Sequence, residues 1–128
     1  MPIKVYTASK LAEADLWKSL RGEWPEVTFT ARWPFFHAGD VPNTPFYAKA
    51  FWLQDAEDVK ACDVVLVYGT QGEHLRGALV EAGMAIALGL KVIVVGDHPD
   101  YGTWQYHPSV FRVPGLEEAR TLLKCLAL

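Results

Sequence analysis

A chain of 128 residues, 51% apolar and with a formal net charge of −3, has room for one domain that buries roughly two thirds of its unfolded surface. Its Lys and Arg residues are scattered and form no basic stripe, which argues against a nucleic-acid polymer or an anionic membrane surface as partner. Cys62 and Cys125 stand far apart without CxxC spacing or clustered histidines, so neither a disulfide framework nor a metal site is indicated. No leader-like or membrane-length apolar run is found, and the expectation is a soluble, reduced, cytoplasmic single domain over 1–128.

Ile3 to Ala8 reads as a short buried strand, and Leu11, Ala14, Leu16, Trp17 and Leu20 have the spacing of an amphipathic helix over Leu11 to Leu20. Val27 to Ala31 alternates like a second strand. Arg32 to Pro45 holds three prolines and no period, so it is predicted to be a loop, with a run of aromatic residues from Trp33 to His37. Helical periodicity resumes over Phe46 to Cys62, and Asp63 to Tyr68 is a strongly apolar strand. Gly69 to Glu73 makes the turn into a helix of small apolar residues. Lys91 to Val95 is another buried strand, Gly96 to Pro108 a loop, Val110 to Val113 a fifth strand, and Leu116 to Leu126 a closing helix with Glu117 and Glu118 in its first turn.

Strands that are apolar on both faces and alternate with helices indicate a doubly wound, Rossmann-like α/β domain: a five-stranded parallel sheet covered on both sides. With strand order 2-1-3-4-5, the ligand crevice lies outside the carboxyl ends of the first and third strands. The residues from Tyr6 to Lys10 and from Gly69 to Glu81 follow those strands.

Glu81 is the unusual residue. Its neighbours three and four positions away are Gly77, Ala78, Met84 and Ala85, so its helical face offers no Lys or Arg for a surface ion pair. A carboxylate there either lies on the solvent edge of a helix packed on one side, or points into a polar cavity, meets a partner, or holds a proton. The small neighbours favour a cavity.

Asp55, eight positions before the Asp63 that opens a strand, and Glu81 within Gly77-Ala78-Leu79-Val80-Glu81-Ala82-Gly83-Met84-Ala85 together resemble the nucleoside 2-deoxyribosyltransferase family and its relatives that hydrolyse deoxynucleoside monophosphates. Tyr6 in the first strand matches a tyrosine of that family, and the order of elements agrees from Ile3 to Gly96. The resemblance implies double displacement at the anomeric carbon of a 2-deoxyribonucleoside or its 5′-monophosphate. Glu81 would be the nucleophile, Asp55 the general acid and later base, and Tyr6 the residue that positions Glu81. That chemistry suits a carboxylate, which can trap an oxocarbenium-like centre as a glycosyl ester. The resemblance further implies no cofactor, a free nucleobase as product or second substrate, and a homodimer or larger homo-oligomer.

Candidate substrate-binding residues are Ser9 and Lys10 after the first strand, Trp33 as a stacking surface or, equally, a core residue, and Asp63 for the strand start or a sugar hydroxyl. Gly69 in the strand-to-helix turn, Gly77 where a side chain would crowd the sugar, and Ser109 at a position that reaches a neighbour's site in some family members complete the set. Ser9 could equally cap the first helix, and Gly77 could serve helix packing. Lys10-Leu11-Ala12-Glu13 lacks the arginine- and glycine-containing loop of relatives that prefer monophosphates. His37, His74, His98 and His107 form no spaced ligand set, so no metal ion is expected. A non-catalytic nucleotide-binding or sensing module on the same fold is the alternative. A lysine-decarboxylase-like phosphoribohydrolase is disfavoured by the lack of a Pro-Gly-Gly-x-Gly-Thr segment.

Overall fold

A computed structural model describes residues 2–35 and 44–128. Five strands, β1 (Ile3–Ala8), β2 (Val27–Phe29), β3 (Val64–Val67), β4 (Lys91–Val95) and β5 (Val110–Val113), form one parallel sheet in the order β2-β1-β3-β4-β5. Three helices connect successive strands, α1 (Ala14–Glu23), α2 (Pro45–Lys60) and α3 (Arg76–Ala87), and α4 (Leu116–Leu126) follows β5. Short 3-10 turns occupy Leu11–Glu13, Trp33–Phe35 and Thr103–Tyr106. Phe36 and His37, half of the aromatic run read from sequence, lie outside the described residues.

The two faces of the sheet carry separate cores because side chains alternate along each strand. Ile3, Val5, Leu66, Ile93 and Val95 pack with Trp17, Leu20, Ala119 and Leu123 from α1 and α4. Tyr6, Ala8, Val65, Val67, Val92 and Val94 pack on the other side with Val59, Ala78, Ala82 and Ala85 from α2 and α3. β1 pairs with β2 on one side and β3 on the other, so the chain reverses its direction of travel between β1 and β3. That switch point is where an open parallel sheet leaves a crevice at its carboxyl edge.

Both α2 and α3 precede a strand of this parallel sheet, so both run back from the carboxyl edge to the amino edge and lie parallel to each other. Their relative height is fixed by Trp52. Its indole lies 3.6 Å from the position a Cβ on Gly77 would take. Asp55 follows Trp52 by three residues on α2, and Glu81 follows Gly77 by four on α3.

The lower part of α2 is anchored to the segment after β2. Buried Asp58 accepts hydrogen bonds from the Arg32 backbone N–H (3.1 Å) and Nε (2.9 Å), and its backbone carbonyl accepts one from the Thr30 hydroxyl (3.0 Å). Arg32 Nη2 adds an ion pair with Asp58 at 2.7 Å. Charge-assisted bonds of this kind are the stronger class, and they set where the rest of α2 stands above the sheet. No helix among the described residues is long and apolar enough to cross a membrane.

Candidate active site

Glu81 faces the sheet. Its exposure is 4%, and it shares the buried stripe of α3 with Ala78, Ala82 and Ala85. The inward reading of Glu81 holds and the solvent-edge alternative does not: small side chains let α3 approach the sheet closely enough to cover the carboxyl group. The hydroxyl of Tyr6, itself fully buried on β1, donates a hydrogen bond to Glu81 Oε2. Burial pushes the Glu81 carboxyl up from its ordinary 4.5 to about 8, since removing water penalises the charged form.

Asp55 occupies the inner side of α2. Burial raises it to about 6; the nearby Asp58 charge adds to the shift and Arg32 opposes it. Its Oδ1 is buried without a hydrogen-bond partner. The Ser9 hydroxyl just past β1 and the Gln54 side-chain nitrogen on α2 are in the same condition. Buried polar groups nearly always have partners; Trp17 Nε1, Arg21 Nε and His98 Nε2 are likewise unpaired elsewhere among the described residues.

Ser9 is no helix cap: Lys10 is the residue before the first 3-10 turn, and no side chain caps that turn or α1. Trp33 is half-buried and packs against both cores. Its indole N–H donates to the Thr7 carbonyl at 2.7 Å, holding the ring against the carboxyl end of β1. Gly77 lies one turn before Glu81, and an alanine methyl there would meet the Trp52 ring at ordinary contact distance. Gly69 is constrained more tightly, because a Cβ would come 2.5 Å from Leu75 Cδ2; packing alone accounts for that glycine.

Two residues are not brought to this place. Asp63 stands at the amino edge of the sheet, where its carboxylate accepts the Lys4 N–H at 3.0 Å and its own N–H donates to the Lys4 carbonyl. It ties β1 to the start of β3, as the strand-start reading had it. Ser109 lies just before β5 at the same edge, its hydroxyl 2.9 Å from the His107 ring and its carbonyl accepting from Val92. Within one chain neither meets the Tyr6–Glu81 pair, because the carboxyl and amino edges are opposite ends of the strands.

Two features escaped the sequence reading. Asp100, in the loop after β4, accepts the Leu75 N–H at 2.8 Å and so holds the start of α3, the helix that carries Glu81. Tyr101 donates its hydroxyl to the Val95 carbonyl at 3.0 Å, fixing that loop to the end of β4. Neither follows a local pattern. Gln54 was also passed over, although its spacing of four from Asp58 puts both on one stripe of α2. Among the described residues no group of three or more His, Cys, Asp or Glu gathers in a way that could hold a metal ion.

No family model and no curated protein sequence matches the chain. Solved structures do. One is a CMP N-glycosidase of Clostridium botulinum, 18% identical, with 98% of this chain and 99% of that one covered and a TM-score of 0.56. Another is a conserved protein from Enterococcus faecalis, 17% identical over the same shares, with a TM-score of 0.61. The shared property is the α/β fold over the whole chain.

The raised pKa of Glu81 fixes a sign for stability. Between pH 4.5 and 8 the unfolded chain loses this proton while the folded one keeps it, so stability declines as pH rises through that window, at up to about 1.4 kcal/mol per pH unit. Glu81→Gln keeps an acceptor for Tyr6 and removes the ionisable group. Thermal melts should show little difference from the wild type at pH 4.5 and a stabilisation of the variant that grows towards pH 8. A difference that is flat across this range would mean that the carboxyl is not shielded from water.

Proposed function

We propose that the protein cleaves or transfers the N-glycosidic bond of 2-deoxyribonucleosides or their 5′-monophosphates, in the manner of the nucleoside 2-deoxyribosyltransferases. The observation that carries this reading is the sheet-facing Glu81 carboxyl bonded to Tyr6, with the half-buried Asp55 on the helix packed beside α3. The likeness in fold to a CMP N-glycosidase supports it.

In the proposed reaction a Glu81 oxygen attacks C1′ and forms a glycosyl ester. The bond from C1′ to the base nitrogen breaks, and its electron pair leaves on the base, which takes the Asp55 proton. Asp55 then removes a proton from water or from a second base, the new nucleophile attacks C1′, and the Glu81 ester oxygen departs. Tyr6 keeps the attacking oxygen aimed. Ser9 and Lys10 stand at the carboxyl end of β1 to meet the sugar or its phosphate, and Trp33 offers a ring to the base.

The acidity constants impose an unusual order. With Glu81 near 8 and Asp55 near 6, the free enzyme at neutral pH holds its proton mainly on Glu81, the reverse of what the first step requires. The productive form is a minority species whose share is constant between the two values and falls on either side.

Two further readings accompany this one. The chain works in the cytoplasm, where its free thiols, Cys62 buried and Cys125 exposed, stay reduced. It also acts as a homodimer or larger assembly that covers the exposed apolar side chains of α2 and α3. Phe46 (75% exposed), Leu53 (65%) and Val80 (50%) stand there with Tyr47 and Trp52, more apolar surface than a lone soluble domain ordinarily shows in one place.

Chromatography of deoxynucleosides and monophosphates incubated with the protein, with and without a second free base, should reveal base release. The pH profile of kcat/KM should be a plateau with limbs near 6 and 8. Asp55→Asn should lose the alkaline limb and move the acidic limb up towards 8, and Glu81→Ala should abolish turnover with the fold intact. Binding without any turnover would instead support a non-catalytic nucleotide-binding module. Leu53→Glu should shift the molar mass from light scattering towards that of the monomer, and a wild-type monomer that turns over at micromolar concentration would contradict the assembly.

A further inference from the structure

Gln54 has no role in the reaction described above, yet its amide nitrogen is buried and without a hydrogen-bond partner. An unpaired buried donor is destabilising, and natural structures retain few of them. Something must be gained by its presence.

Its position says what. Trp52 of α2 turns towards α3, and Asp55, three residues from both Trp52 and Asp58, stands between their two stripes of the helix. Asp58 lies on the other side, against Arg32 and Thr30. Gln54 precedes Asp58 by four residues, so it stands one turn higher on that second side, above the segment that carries Trp33 and closer to the carboxyl edge. Trp33 is tied to the Thr7 carbonyl. Asp55 thus has the Glu81 helix to one side and the Gln54 and Trp33 side chains to the other. A nucleoside whose sugar meets Glu81 and whose base is protonated by Asp55 must extend its base towards Gln54.

We propose that Gln54 is the base-reading residue of this cleft, its Nε2–H donating to a carbonyl oxygen or unprotonated ring nitrogen on the edge of the nucleobase. The inference rests on the glycosidic-bond reading for the orientation of the substrate, but the donor and its missing acceptor exist irrespective of any reaction. The amide is a specificity element: a base that presents a donor at that edge leaves two donors opposed, which a buried site penalises more than it rewards a match. Asp55, with its own unpartnered Oδ1, supplies the adjacent contact.

Gln54→Leu replaces the amide by an apolar group of similar volume, and Gln54→Glu keeps the shape while substituting an acceptor for the donor. Thermal melts and isothermal titration with free nucleobases are measured for both variants and the wild type. The expected result is a melting temperature for Gln54→Leu equal to or above that of the wild type, since no internal hydrogen bond is lost. Base affinity should fall about tenfold or more in both variants, the loss of one buried bond. A lower melting temperature for Gln54→Leu, or base affinity unchanged in either variant, overturns the proposal. Wild-type protein that turns over deoxynucleosides while Gln54→Leu binds bases normally retains the glycosidic-bond reading and removes this one. Base binding that depends on Gln54 in a protein without turnover does the opposite.

Discussion

Placing a carboxyl group between a helix and a sheet is unfavourable unless it keeps its proton or finds a donor, and the architecture around Glu81 depends on both. The small residues Ala78, Ala82 and Ala85 bring α3 down onto the sheet, which is what excludes water. Tyr6 is fully buried on β1 and reaches across to supply the donor. Exchange any of those alanines for a larger side chain and α3 must rise, admitting water and returning the acid to its ordinary strength. The elevated pKa is a consequence of close helix packing, and close packing is a consequence of side-chain size.

The rest of the cleft is arranged around that pair by restraints lying outside it. Asp100 holds the first turn of α3 through the Leu75 N–H, and Trp52 against Gly77 sets the height of α2 beside α3. Asp58 with Arg32 fixes the far end of α2. Asp55 and Gln54 are thus carried on a helix held at both levels, which is how a side chain can remain buried and unpartnered without turning away.

The sheet was legible in the sequence because its strands are runs of Val, Ile and Leu that admit one interpretation, and the strand order follows once the strands alternate with helices. β4, β5 and α4 coincide with their expected spans. The first helix is less regular than its periodicity suggests: Leu11–Glu13 is a 3-10 turn and α1 continues to Glu23. β2 is three residues long: Thr30 still donates its N–H to the Val5 carbonyl, but its hydroxyl and the Arg32 N–H turn to Asp58. Glu81 could be singled out because a charge among small residues contradicts its surroundings. Gln54 and Asp100 could not, since a Gln on a helix and an Asp in a loop are ordinary locally, and only their tertiary neighbours make them notable. Asp63 was misleading for the converse reason: a strand-start aspartate beside a functional motif shares its sequence context without sharing its end of the sheet.

The central claim is that Glu81 forms a bond to the sugar. A 2′-deoxy-2′-fluoroarabinosyl nucleoside tests it directly, because the fluorine destabilises the oxocarbenium-like transition state and slows breakdown of a glycosyl ester more than its formation when the base leaves readily. Intact-mass spectrometry of the protein after incubation, followed by peptide mapping, should show one added fluorosugar located on Glu81, accompanied by stoichiometric release of base. Release of base with no adduct, or an adduct on another residue, would contradict the account.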